Sequence, residues 1–201
     1  MKKRIILFDI DRTIFDTDKL LRLQSENISK VVNAERFKEF WDSTLSGEKH
    51  ITSEERLNLI CSKFNIKNSK LLSNIFFGKE YKYIYSDSVY LETRVVFDKL
   101  KSKYRLGIYS EGTAKFQNHK FRSLGLDRYF DNDLIFIVDA KDTKEVLNKI
   151  PKDAIIVDDK ETICGFLTKN DIRAIWLNRK DNRKSDKFET IYSLFDLLDV
   201  L

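Results

Sequence analysis

Ile5 to Ile10 is a short, almost unbroken apolar run, β-branched and aromatic in character. That is the pattern of a strand buried on both faces of a parallel sheet. From Leu20 to about Leu72 the apolar positions recur instead at helical spacing. Leu20, Leu21, Leu23, Ile28, Val31 and Val32 predict one helix, and Phe37, Phe40 and Trp41 a second. Ser53-Glu54-Glu55-Arg56 ahead of Leu57 and Ile60 reads as a third helix start, capped by Ser53 or Thr52. Tyr90 to Lys101 is helical again. From there the periods alternate: strand Arg105–Tyr109, helix Thr113–Leu124, strand Leu134–Val138, helix Asp142–Lys149. Strands Ala154–Val157 and Ile172–Leu177 follow, and a helix over Phe188–Leu198 closes the chain. In the Asp142–Lys149 helix, Asp142 and Glu145 stand at capping-box spacing. Alternation of this kind predicts an α/β fold, a parallel sheet covered by helices on both faces. The all-helical block at 17–88 interrupts it after the first strand and is read as an insertion. Two domains are therefore expected, a core of 1–16 and 89–201 and a helical domain of 17–88.

Composition narrows the class. The chain has 201 residues, 42% hydrophobic and 34% charged, enough for a sizeable core. The net charge of +5 can steer an anionic small molecule. No dense basic run with interleaved aromatics marks a nucleic-acid surface, and no stretch approaches a membrane span. Cys61 and Cys164 stand far apart, as reduced cysteines in a reducing compartment, and His50 and His119 are isolated. Asp9 breaks the first apolar run too early for a signal peptide. A cytoplasmic protein is expected.

In open parallel sheets, ligands bind outside the carboxyl ends of the strands. The first strand ends in Asp9-Ile10-Asp11-Arg12-Thr13, the second in Ser110-Glu111-Gly112 and a later one in Asp158-Asp159. Lys141 and Lys144 stand at the start of a helix between them. Clustered carboxylates repel one another and drive protonation unless a counter-ion intervenes. A hard cation such as Mg²⁺ suits them. A hydroxyl, backbone N–H groups and an ammonium suit phosphate oxygens.

These residues resemble the motifs of the haloacid dehalogenase superfamily, whose members are mostly phosphatases. Ile6-Leu7-Phe8-Asp9-Ile10-Asp11-Arg12-Thr13 matches its first motif, an apolar strand followed by Asp-x-Asp-x-Thr. Leu106-Gly107-Ile108-Tyr109-Ser110 matches the second, a strand ending in Ser or Thr. Ile155-Ile156-Val157-Asp158-Asp159 matches the fourth, a strand ending in acids. The third is a lysine before a helix, for which Lys141 is favoured over Lys144. The resemblance covers residues 1–16 and 89–201. It implies a Rossmann-like core with an inserted helical cap.

It also implies a mechanism. Asp9 would attack phosphorus and form an aspartyl-phosphate. Asp11 would protonate the leaving oxygen and then activate water. Mg²⁺ would bridge Asp9, the main-chain carbonyl of Asp11 and Asp159, with Asp158 behind. Ser110, the N–H groups of the Glu111-Gly112 turn and Lys141 would hold the phosphate of a small phosphorylated substrate. A phosphomutase would share every core residue, and a non-catalytic phospho-ligand binding module would share the fold. A phospho-accepting receiver would carry its acceptor on a later strand. Displacing a halide needs neither the Asp11 acid nor a metal. Two departures stand out: Arg12 occupies a position that is often glycine, and Ile163 a position that is often acidic. The insertion carries no recognisable motif, and its Trp41 and Phe76-Phe77 read as core. Both of its connections leave the carboxyl edge, so a lid over the site is expected.

Overall fold

A computed structural model describes residues 3–45, 53–67 and 70–201. By contact the chain divides into two compact units, Met1–Asp16 with Val89–Leu201, and Thr17–Ser88.

The first unit is built on six parallel strands: β1 (Ile5–Phe8), β2 (Arg105–Glu111), β3 (Phe130–Val138), β4 (Ile155–Asp158), β5 (Arg173–Leu177) and β6 (Glu189–Ile191). Their order is β3-β2-β1-β4-β5-β6. Ile6 of β1 lies opposite Leu106 of β2 on one side and Ile155 of β4 on the other. This central position explains the unbroken apolar run, since all four β1 residues are buried. Alternate side chains serve opposite faces. Ile5 and Leu7 join a core with Tyr109, Leu134, Ile156 and Trp176. Phe8 packs against Phe97 in a tilted arrangement, ring centroids 4.9 Å apart. Burying a large apolar side chain contributes about 2 kcal/mol.

Helices α6 (Glu92–Lys101), α7 (Ala114–Arg122), α8 (Lys144–Leu147), α9 (Glu161–Lys169) and α10 (Leu197–Val200) complete this unit. Gly107 is required where β2 shifts register against β3: an added Cβ would lie 2.3 Å from the Leu134 carbonyl oxygen.

The second unit holds α1 (Thr17–Ile28), α2 (Ala34–Phe40), α3 (Ser53–Lys63), α4 (Lys70–Phe77) and α5 (Lys82–Ser86). Leu20, Ile28, Phe37, Leu72, Ile75 and Phe76 are buried within it. Phe76 is core, whereas Trp41 is only half-buried and lines a groove of about 560 Å³ with Phe37 and Leu21. Thr52 and the side chain of Ser53, the two expected caps, lie outside the described residues.

Two expectations need correction. The C-terminal segment is not one helix over Phe188–Leu198. It is strand β6, a 3₁₀ turn over Leu194–Asp196, and the short α10. Phe188, Ile191, Leu194 and Leu197 recur every third residue and mimic a helical face. Ser193 breaks it: its side chain and Asp196 form a capping box that starts the 3₁₀ turn there. Likewise α8 is capped by Thr143, whose hydroxyl accepts from the Val146 N–H at 3.3 Å, and not by Asp142. No helix among the described residues is long and apolar enough to cross a membrane.

Candidate active site

The strand order reverses direction between β1 and β4. Parallel sheets bind ligands in the crevice outside such a switch point. Asp9 follows β1 directly, and its N–H donates to the Val157 carbonyl of β4 at 2.9 Å. Asp158 ends β4, and Asp159 comes next. The three carboxyls therefore flank the one place where the topology opens a cleft.

Lys141 reaches this place from the loop between β3 and α8. Its ammonium lies 2.5 Å from Asp9 Oδ1 and 2.6 Å from Asp158 Oδ2, and the side chain is 1% exposed. The Tyr109 hydroxyl donates to the Lys141 carbonyl at 2.6 Å, with the Tyr109 ring 5.4 Å from the ammonium. The Lys141 N–H donates to Glu111 Oε1 at 3.0 Å, and the Lys160 ammonium bonds Glu111 Oε2. The Lys160 N–H in turn donates to Asp158 Oδ1 at 2.8 Å. A continuous polar network thus fixes the lysine. Lys144 sits exposed on the first turn of α8. The lysine that meets Asp9 is Lys141.

Charge is unevenly distributed. Burial pushes the Asp9 carboxyl up to about 6; Lys141 opposes the rise, while Asp158 and Asp11 add to it. Burial, followed by the charges of Asp9 and Asp158, pushes Asp159 up to about 8 against Lys141 and Arg12. Burial alone would lower Lys141, but Asp158 and Asp9 outweigh it and hold the ammonium charged. Glu111 moves down: burial would raise it, but Lys160 and the Lys141 N–H prevail.

Asp11 lies on the turn after β1. The Lys120 ammonium touches both its oxygens, at 2.6 and 2.8 Å, and Gln117 Nε2 donates to Oδ2 at 2.9 Å. Arg12 takes a left-handed backbone, φ 57°, where the resembled motif often has glycine. Thr13 is fully buried. Ser110 ends up 1% exposed, and its hydroxyl has no hydrogen-bond partner among the described residues. Gly112 takes φ 128°, and its N–H donates to the Val138 carbonyl at 2.9 Å. That donor is spent within the sheet and is not open to a phosphate.

Asp9, Asp158, Asp159 and Lys141 are thus brought together, with Asp11 on the turn after β1 and Ser110 at the end of the neighbouring β2. Gln117, Lys120 and Lys160 were not foreseen. The sequence offers for the first two only their i, i+3 spacing on the helix following Ser110; their burial appears in the structure. Among the described residues, no three acidic, histidine or cysteine side chains gather into a ready cage for a cation.

The sequence profile of the haloacid dehalogenase-like hydrolases matches residues 6–163, spanning β1, β2 and β4 with every motif above. The chain belongs to this family. No curated protein matches it in sequence. Among solved structures it is similar to a candidate haloacid dehalogenase-like hydrolase from Burkholderia xenovorans LB400, with TM-score 0.77 and 18% identity over 99% of this chain and 96% of that one. It is also similar to the candidate HAD-hydrolase YfnB from Bacillus subtilis, described bound to magnesium (TM-score 0.63, 19% identity, 100% and 99% covered). A candidate β-phosphoglucomutase from Thermotoga maritima has TM-score 0.65 and 16% identity, with 100% and 98% covered. At such identities the likeness is one of fold. The haloacid dehalogenase-like core is thus an α/β, Rossmann-like sheet, and it is a hydrolase core.

Proposed function

We propose that this hydrolase is a Mg²⁺-dependent phosphatase acting on a small phosphorylated metabolite, with Asp9 as nucleophile. The observation that carries the reading is Asp9 itself: a carboxylate at the switch point, oriented through one oxygen by a buried lysine. An oriented carboxylate can attack phosphorus and form an acyl phosphate. Ser110 supports the same reading. A buried hydroxyl without a partner is costly unless a ligand completes it, and a phosphate oxygen would accept its hydrogen.

The donor set fits a divalent cation. Lys141 is shared between Asp9 and Asp158, and Lys120 is engaged with Asp11, so Asp159 is left with excess negative charge around it. Mg²⁺ takes one or two carboxylates and keeps several waters, so it needs no complete protein cage. Asp9, Asp159 and the main-chain carbonyl of Asp11 would hold it. Asp158 would stand behind, because its oxygens already serve Lys141 and the Lys160 N–H. When bound, the ion offsets the repulsion between the phosphate and the carboxylates.

The chain's own groups then divide the work. Lys141 orients Asp9 and neutralises charge on the transferring phosphoryl group. Asp11 gives a proton to the leaving oxygen, then takes one from the water that cleaves the aspartyl-phosphate. The two unpaired cysteines suit work in the cytoplasm.

The test is phosphate release from a panel of phosphorylated metabolites, with Mg²⁺ and with chelator, for the wild type and Asp9→Asn. Release that needs Mg²⁺ and vanishes in Asp9→Asn is expected. Full turnover in excess chelator, or in Asp9→Asn, would overturn the reading.

A further inference from the structure

Lys120 is a buried ammonium that the chemistry above does not use. Its side chain is 9% exposed, while that of Asp11 is 30% exposed. A buried charge is costly to the fold unless it is paired, and even a paired one is a weak source of stability. Its place therefore calls for a reason beyond packing. The ammonium is centred on the Asp11 carboxylate, touching both oxygens. Gln117, one turn earlier on the same face of α7, holds Oδ2 and is itself tied to the Glu111 carbonyl at 2.7 Å. Helix α7 starts immediately after β2, the strand that delivers Ser110. The face that grips Asp11 is thereby fixed to the sheet. Asp11 itself sits on the turn after β1, just before the left-handed Arg12.

We infer that Lys120, assisted by Gln117, is the positioning residue for the Asp11 acid–base step, and that it sets how well the enzyme handles poor leaving groups. The inference rests on the phosphatase reading above. In the first step the Asp9–P bond forms as the bond from phosphorus to the leaving oxygen breaks, and the Asp11 carboxyl proton moves to that oxygen. In the second, water attacks phosphorus, the Asp9–P bond breaks and the carboxylate takes the proton of that water. Asp11 ends as it began. Between the steps it is a carboxylate, and the Lys120 ammonium spans both its oxygens. Lys120 must release one oxygen whenever Asp11 carries its proton, and it recaptures that oxygen when the proton leaves. An acid so held matters in proportion to the basicity of the leaving oxygen. An alkoxide needs the proton, whereas a dinitrophenolate leaves without it.

The experiment compares kcat/KM for a series of alkyl and aryl phosphates in the wild type, Lys120→Met, Lys120→Arg, Asp11→Asn and the Lys120→Met/Asp11→Asn double variant. Methionine keeps the helix and most of the stem length but removes the charge. Positioned general acids contribute about 10²- to 10⁴-fold, so Lys120→Met should lose at least about tenfold on alkyl phosphates and less than about twofold on 2,4-dinitrophenyl phosphate. Lys120→Arg should recover most of the loss. In the Asp11→Asn background, Lys120→Met should add almost nothing, because residues acting as one unit are not additive. An equal loss on every substrate, tracking thermal stability, would overturn the inference and leave the phosphatase reading standing. So would a full additional loss in the double variant. A wild type that hydrolyses none of the series would instead overturn the phosphatase reading, and this inference with it.

Discussion

Replacing Asp159 by asparagine should stabilise the metal-free protein, and the gain should grow with pH. In the folded chain this carboxyl is pushed from 3.8 to about 8 by burial, then by Asp9 and Asp158. Below about pH 4 it is protonated in both states, and the full benefit of its raised value is present. Between 3.8 and about 8 the unfolded chain has lost the proton and the folded chain still holds it. Unfolding then releases a proton, so stability falls as pH rises. Above about 8 the whole penalty has accrued. A rise of about four units corresponds to a ceiling of about 5 kcal/mol. The group is partly open to water and its neighbours titrate with it, so about 2 kcal/mol is the working figure. For a chain of this size that is a Tm gain of about 4–8 °C.

The assay is thermal or urea unfolding in chelator at pH 5 and pH 9, comparing Asp159→Asn with wild type so that other titrating groups largely cancel. The gain should be small at pH 5 and near its full value at pH 9. Millimolar Mg²⁺ should raise the wild type and leave the variant nearly unmoved, because a ligand that binds the native state stabilises it by mass action. A variant equally or less stable at both values, with no trend, would refute the electrostatic reasoning.

Lys141→Ala should cost on the order of 2–4 kcal/mol in transition-state stabilisation, read from kcat/KM. It should also lower stability, since it leaves Asp9 and Asp158 facing each other unpaired. Lys144→Ala, at an exposed position, should change either quantity by no more than about 0.5 kcal/mol. Asp9→Asn should abolish phosphate release while the far-UV circular dichroism stays native. Gly107→Ala should destabilise by about 3 kcal/mol or more in urea unfolding, because its methyl would meet the Leu134 carbonyl, which is backbone and cannot move aside.

Much of the fold was legible because parallel strands between layers of helices have nowhere polar to point. Ile5–Phe8 and Ile155–Val157 announce themselves as continuous apolar runs. β6 was illegible for the converse reason. It is three residues long at the sheet edge and buries only Ile191 fully, so no period of two can develop. The spacing of Phe188, Ile191, Leu194 and Leu197 then supplied a false helical stripe.

The site was legible to the extent that its groups follow strands. A carboxylate at the end of an apolar run is conspicuous, because burying it needs a reason; Asp9 and Asp158-Asp159 are of this kind. Lys141 was favoured over Lys144 in sequence, but only three dimensions separate the two by contact. Both precede or open α8, and what separates them is the pull of two buried aspartates on one ammonium. Glu111 shows the limit most clearly. Its neighbourhood in sequence suggests a turn whose N–H groups face a phosphate. In space the Gly112 N–H serves the sheet, and the Glu111 carboxylate turns to Lys160 and the Lys141 N–H. An acid in a phosphate-binding turn would repel its ligand if it were free. Bound to Lys160, it becomes the anchor of the loop that carries Lys141, and the charge that seemed out of place helps to hold the nucleophile's partner.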